Sequence, residues 1–155
     1  MQLAIHTIDT FNYFLGPVKS VQAKVARLAT PAEIEDTAVI AIEYQSGVLG
    51  YIGTAYTVPP STFTHIHGTE AALSFDRKAG AFVLRYKDGR MEEKPLMAPI
   101  NARGDELDEF ARCAVTGAKP ETGGEEGLHA LAVVLAALKS SKEGRSVTIE
   151  EVLNE

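Results

Sequence analysis

Apolar residues recur at helical spacing from about Gln2 to Leu15. At 100° per residue, Leu3, Ala4, Ile8, Phe11, Phe14 and Leu15 share an arc of about 140°, which predicts a core-facing helix. Gln2, His6, Asp9 and Tyr13 fall within about 60° of one another on the opposite side. Gly16-Pro17 ends the helix, since glycine takes the left-handed cap and proline cannot continue the turn.

The period then changes to two. In Val18–Leu28, apolar Val21, Ala23 and Val25 alternate with polar Gln22 and Lys24. Thr37–Tyr44 and Val48–Thr57 flank Gln45-Ser46-Gly47, a predicted hairpin turn. Pro59-Pro60 breaks the pattern. Phe63–His67 and Ala71–Phe75 flank Gly68-Thr69-Glu70, and Ala81–Lys87 and Arg90–Lys94 flank Asp88-Gly89, a strong hairpin signal. The middle of the chain therefore reads as a run of antiparallel strands.

Helical spacing returns at Asp105–Thr116, where Leu107, Phe110, Ala111, Ala114 and Cys113 are the expected buried positions. It returns again at Gly124–Gly144, with Leu128, Leu131, Ala132, Val134, Leu135 and Leu138. Lys139, Lys142 and Arg145 suit the negative end of that helix dipole. A short strand at Val147–Ile149 and a turn at Glu150–Leu153 close the chain. Strands bracketed by helices, without alternation, predict an α+β fold: an open, mainly antiparallel sheet with helices packed on one face. Val39, Ile40, Ile42, Tyr44, Leu49, Tyr51, Ile52 and Tyr56 put apolar residues on both faces of its central strands. Two-fold pairing of sheets, as a homodimer or larger assembly, is the expected cover.

Composition narrows the picture. The 155 residues predict one domain spanning 1–155. Hydrophobic residues make up 45% and charged residues 23%, a globular balance. Net charge is −6, which argues against a nucleic-acid or anionic-membrane partner. The single cysteine excludes an intrachain disulfide and a cysteine-rich zinc site. The apolar runs fall short of a membrane span, and the start is acidic too early for a signal peptide. The expected compartment is the cytoplasm.

Candidate chemistry concentrates on the first helix. Spacings of four, three and four stack Gln2, His6, Asp9 and Tyr13 on one side. An aspartate-oriented histidine is a general acid or base near neutral pH, whereas by pattern alone the same residues are a solvated helix face. His65 and His67 lie two apart on a strand and so point the same way, yet the sequence places no third ligand beside them, and no metal site is expected. Gly47, Gly50 and Gly53 sit inside a hairpin. Gly123-Gly124-Glu125-Glu126-Gly127 opens a helix, but its carboxylates repel phosphate, so no dinucleotide site is expected.

Taken in order, these features resemble a known family. His6-Thr-Ile-Asp9 followed by Phe14-Leu15-Gly16-Pro17-Val18 resembles the helix-to-strand junction of the glucose–fructose oxidoreductase / inositol dehydrogenase / MocA family. The resemblance continues through Glu35-Asp36-Thr37-Ala38, the hairpin at Ser46-Gly47-Val48-Leu49-Gly50, and Gly68-Thr69-Glu70 with Leu73. It reaches Glu109-Phe110 with Gly117 and Pro120, and Ser140 through Val147. The ordered series carries it, rather than any one motif.

The resemblance implies the C-terminal α+β domain of a two-domain enzyme, truncated at its N-terminus, whose N-terminal Rossmann domain binds NAD or NADP and is missing here. It implies a sugar-like substrate and a homodimer or tetramer formed through the sheet. His6 matches the family histidine near the reacting carbon. Gln2 stands where an aspartate is common, and Asp9 and Tyr13 extend that face towards substrate. Arg103, seven residues before Phe110, matches a polar position near substrate; by pattern it is a solvated arginine ahead of a helix. The family's catalytic lysine belongs to the other domain, and Glu93-Lys94-Pro95 only repeats its letters at the end of a hairpin. The expected function is therefore the substrate-side and oligomerisation half of an NAD(P)-dependent oxidoreductase, inactive alone. The other reading is a non-enzymatic dimerisation or small-ligand module.

Overall fold

The computed structural model describes residues 2–59, 61–76, 80–95 and 101–155, without the side chains of residues 2, 3, 76 and 102. In chain order the elements are α1 (Gln2–Leu15), β1 (Val18–Ala26), β2 (Thr37–Tyr44), β3 (Leu49–Ala55), β4 (Phe63–His67), β5 (Ala71–Asp76), β6 (Ala81–Tyr86) and β7 (Met91–Pro95). They continue with α2 (Ala102–Thr116), α3 (Gly124–Glu143), β8 (Val147–Thr148) and α4 (Ile149–Leu153). The fold is α+β with open antiparallel sheets, as the alternation and hairpin signals predict. The strands divide into two sheets of four, β3-β2-β1-β8 and β4-β5-β6-β7. Residues 1–58 with 119–155 form one compact unit, and residues 59–118 a second.

In the first unit, β1 and β2 pair antiparallel with Ala23 opposite Ile40, and β2 pairs β3 with Ile40 opposite Ile52. Alternation sends Val18, Val21, Ala23, Ala38, Ile40, Ile42, Tyr44 and Ile52 to one face. There they pack with Ala4 and Ile8 of α1 and with the alanine- and valine-rich side of α3. Small side chains at Ala130, Ala132, Ala136 and Ala137, all buried, let α3 lie close to the sheet. The other face is exposed and mixed. Val39, Leu49 and Tyr51 cluster on β2 and β3, the last two more than 70% exposed, while β1 contributes Gln22 and Lys24.

β8 pairs with β1 only at Ser20 and Val21. Beyond it, α3 completes the free edge of β1. The Ala23 N–H donates to Ser140 Oγ at 2.9 Å, and the Val25 N–H donates to Ser141 Oγ at 2.9 Å. Ser140, fully buried, also donates to the Arg145 carbonyl at 2.5 Å. Two consecutive serines thus bind backbone donors that no strand reaches.

Asp36 fastens the 27–36 loop. Its buried carboxylate accepts from the N–H groups of Ala29 and Thr30, each at 2.7 Å, and of Leu28 at 2.9 Å. Those bonds hold its carboxyl well below the usual carboxylate range.

The second unit holds the β4–β7 sheet and α2. Phe75 and Phe82 stack at 4.8 Å across the β5–β6 pair. The Asp88-Gly89 turn joins β6 to β7 with Gly89 at φ 88°, a left-handed conformation that favours glycine. The expected buried stripe of α2 is a correction: Cys113 is buried, whereas Leu107, Phe110, Ala111 and Ala114 are exposed. Periodicity identifies an apolar stripe, but burial needs a surface to receive it. Phe14 is a second correction, 61% exposed. It lies about 90° round α1 from the centre of the stripe formed by Ala4, Ile8, Phe11 and Leu15. Its ring packs edge-on against Tyr13, at 5.5 Å, rather than into the core. Leu3's side chain and Pro60 lie outside the described residues.

Candidate functional site

The site is built on α1. Ala4 and Ile8 anchor the helix to the core, with Ile5, Phe11 and Leu15 packed alongside. Gly16 caps it in the left-handed conformation, φ 84°, its N–H donating to the Asn12 carbonyl at 2.9 Å. With that side fixed, helix geometry turns His6, Asp9 and Tyr13 away from the core. His6 and Tyr13 are exposed, and Asp9 is half-buried on the flank. The backbone puts Gln2 one turn before His6, and its side chain lies outside the described residues. The structure joins His6 to Asp9 by position only. Among the described residues no hydrogen bond links their side chains, so the expected orienting contact is not formed. Arg103 is an exposed residue in the first turn of α2, in the second unit.

Beside Asp9 and Tyr13 the first unit opens into a groove of about 660 Å³. Asp9, Thr10, Asn12 and Tyr13 of α1 form one wall. Pro17 and residues Glu121 and Thr122 lie along it, and Glu125, Glu126 and His129 of α3 form the other wall. Periodicity in the sequence singles out none of Asn12, Glu121 and His129 as site residues. These come from segments far apart in the chain, and only the packing of α1 beside α3 gathers them.

His129 ties the two walls together. The Val18 N–H, just past the end of α1, donates to His129 Nε2 at 2.9 Å. A nitrogen that accepts carries no proton, so the neutral ring holds its hydrogen on Nδ1. Burial pushes the His129 pKa down, in keeping with that neutral form. Asn12 is the opposite case: both polar atoms of its side chain are buried and neither has a hydrogen-bond partner. Few native proteins leave such atoms unpaired.

The start of α3 matches the acid-rich first turn read from sequence. Glu126 Oε2 accepts the Gly123 N–H at 2.8 Å, and Lys119 pairs with Glu125 at 2.7 Å and Glu126 at 3.4 Å. This turn does not suit a pyrophosphate, because its own carboxylate already takes a backbone donor and a second one stands beside it. His65 and His67 share one side of β4, their rings 6.3 Å apart. Among the described residues no three or more histidine, cysteine, aspartate or glutamate side chains gather as a metal site. Among those residues, too, no helix is long and apolar enough to cross a membrane.

Comparison with known proteins adds a finding independent of this geometry. Residues 1–149 match a family model described as the oxidoreductase family, C-terminal alpha/beta domain. The chain is 26% identical over 158 residues to the 1,5-anhydro-D-fructose reductase of Ensifer adhaerens, covering 97% of this chain and 47% of the reductase. A solved structure from Desulfitobacterium hafniense superposes with a TM-score of 0.88 at 27% identity, over 98% of this chain and 48% of that one. The WlbA dehydrogenase of Bordetella pertussis, solved with NADH and UDP-GlcNAcA, gives 0.73 at 28%, over 96% and 45%. The chain thus spans about half the length of the curated relatives it matches.

Proposed function

The chain belongs to the glucose–fructose oxidoreductase / inositol dehydrogenase / MocA family of oxidoreductases, and on that premise we propose that it is the substrate-side half of an NAD(P)-dependent enzyme acting on a sugar, polyol or nucleotide sugar. One observation carries the reading: the C-terminal-domain match coincides with an α1 face that presents His6 and Tyr13 to solvent beside a groove lined mostly by polar residues.

In this reading His6 is the catalytic residue. Its imidazole takes the proton of the reacting hydroxyl on oxidation and returns it on reduction. Asp9 and Tyr13 hold neighbouring hydroxyls, and Gln2 and Arg103 complete the substrate contacts. The nicotinamide, carried by an N-terminal Rossmann domain, supplies the hydride chemistry when bound. The chain alone binds no dinucleotide and is inactive. The exposed Val39, Leu49 and Tyr51 face of the first sheet builds a homodimer or tetramer, and the enzyme works in the cytoplasm.

The test joins this chain to the nucleotide-binding half of the Ensifer adhaerens reductase and follows NAD(P)H absorbance over a panel of sugars and polyols. The joined protein is expected to turn over at least one of them, and the chain alone none. A joined protein that is folded and binds NADH yet oxidises or reduces nothing in the panel favours the non-enzymatic module instead.

A further inference from the structure

We propose that the groove between α1 and α3 takes a polyhydroxylated ligand without negative charge, neutral or amine-bearing, and rejects sugar acids, sugar phosphates and nucleotide sugars. The inference rests on the reading of this chain as the substrate side of a sugar oxidoreductase, and it narrows the substrate.

Charge is the first argument. Among the described residues the groove is lined by carboxylates on both walls, Asp9 on α1 and Glu125 and Glu126 on α3, and by no lysine or arginine. Lys119, close by, is engaged by Glu125 and Glu126. A phosphate or carboxylate seated here meets like charge from both walls. One such pair about 7 Å apart, at an effective dielectric near 20, weakens binding by more than about tenfold. Hydroxyl and ammonium groups instead donate to carboxylates, the stronger kind of hydrogen bond.

Unused hydrogen-bonding capacity is the second argument, and it is independent of the first. The amide of Asn12 has a donor and an acceptor buried without partners on the groove wall. On a turn of the Asn12 side chain into the groove, a ligand hydroxyl can give to the oxygen and take from the nitrogen, which relieves the cost of leaving both unpaired. The His129 Nδ1–H is a further fixed donor, because Nε2 is committed to Val18. At about 660 Å³ the groove falls within the usual range for small-molecule sites.

The experiment is an NMR titration of the ¹⁵N-labelled chain with myo-inositol, D-glucosamine, D-glucuronate and UDP at matched ionic strength. Inositol and glucosamine are expected to move the Asn12 side-chain amide and the His129 ring signals. Glucuronate and UDP should need about ten times the concentration or more. Asp9→Asn should narrow that gap by weakening glucosamine and strengthening glucuronate. Equal or tighter response to glucuronate or UDP overturns the proposal. So does the absence of any groove response to inositol and glucosamine at their highest soluble concentration. Shifts confined to His6 overturn the groove assignment and leave the substrate-side reading standing. Groove binding alongside an inert joined protein overturns that reading and not the groove.

Discussion

Replacing Ser140 by alanine tests how the core of the first unit is closed. Ser140 is fully buried, and its hydroxyl makes two bonds: it accepts from the Ala23 N–H at 2.9 Å and donates to the Arg145 carbonyl at 2.5 Å. Ala23 is 4% exposed, and β8 has already ended two residues before it, so no strand replaces the lost acceptor. An orphaned buried donor costs about 1–3 kcal/mol, and the second bond adds about 0.5–1.5 kcal/mol. Ser140→Ala is therefore expected to destabilise by about 2–4 kcal/mol. At about 2–4 °C per kcal/mol for a chain of this size, Tm falls by about 5–15 °C. Ser141→Ala is the internal comparison. Its bond to Val25 lies in a half-buried place where water can substitute, so about 0.5–1.5 kcal/mol is expected. Urea denaturation followed by circular dichroism measures both. A Ser140→Ala stability within about 0.5 kcal/mol of the parent, or a Ser141→Ala loss as large as that of Ser140→Ala, refutes the idea that α3 completes the β1 edge.

Other outcomes follow from the charged and exposed groups. Asp36 has a carboxyl held below its ordinary value of 3.8 by the N–H groups of Ala29, Thr30 and Leu28. Its contribution is present above about pH 4 and is lost as pH falls below that. Asp36→Asn should flatten this acid limb of the urea midpoint. His129 is neutral in the fold, its pKa lowered from 6.5 by burial, so the unfolded chain takes up a proton first as pH drops through 6.5. Stability should be full above that pH and decline below it, and His129→Gln should remove the dependence. Tyr51→Glu, on the exposed sheet face, should shift light-scattering mass towards the monomer; an unchanged assembly, or a parent already monomeric at tens of micromolar, excludes this face as the interface.

Much of the fold was legible in the chain because its signals are local. Period-two alternation and glycine turns located β1 to β7 within about two residues at each end, and β2 and β4 matched to the residue. Gly16, Gly89 and Gly144 marked ends and turns because each needs a positive φ. What pattern could not supply was company. The apolar stripe of α2 is real in the sequence and exposed in the structure, because periodicity names a face without naming what covers it. The strands gave no sign of dividing into two sheets, since edge pairing is decided between segments. The site divided in the same way. His6, Asp9 and Tyr13 were readable from one helix wheel. Asn12, Glu121 and His129 were not, because the groove exists only where α1 meets the start of α3. Nor did spacing predict that His6 and Asp9 would stand on one face without a bond between them.

The most direct test of the central claim is the steady-state rate of the joined two-domain protein carrying His6→Ala. Positioned acid–base groups contribute about 10²–10⁴-fold. The account predicts a fall in kcat of at least about a hundredfold, with NADH still bound as by the parent. A variant that keeps kcat within about twofold contradicts the assignment of His6, and with it the proposed role of the α1 face.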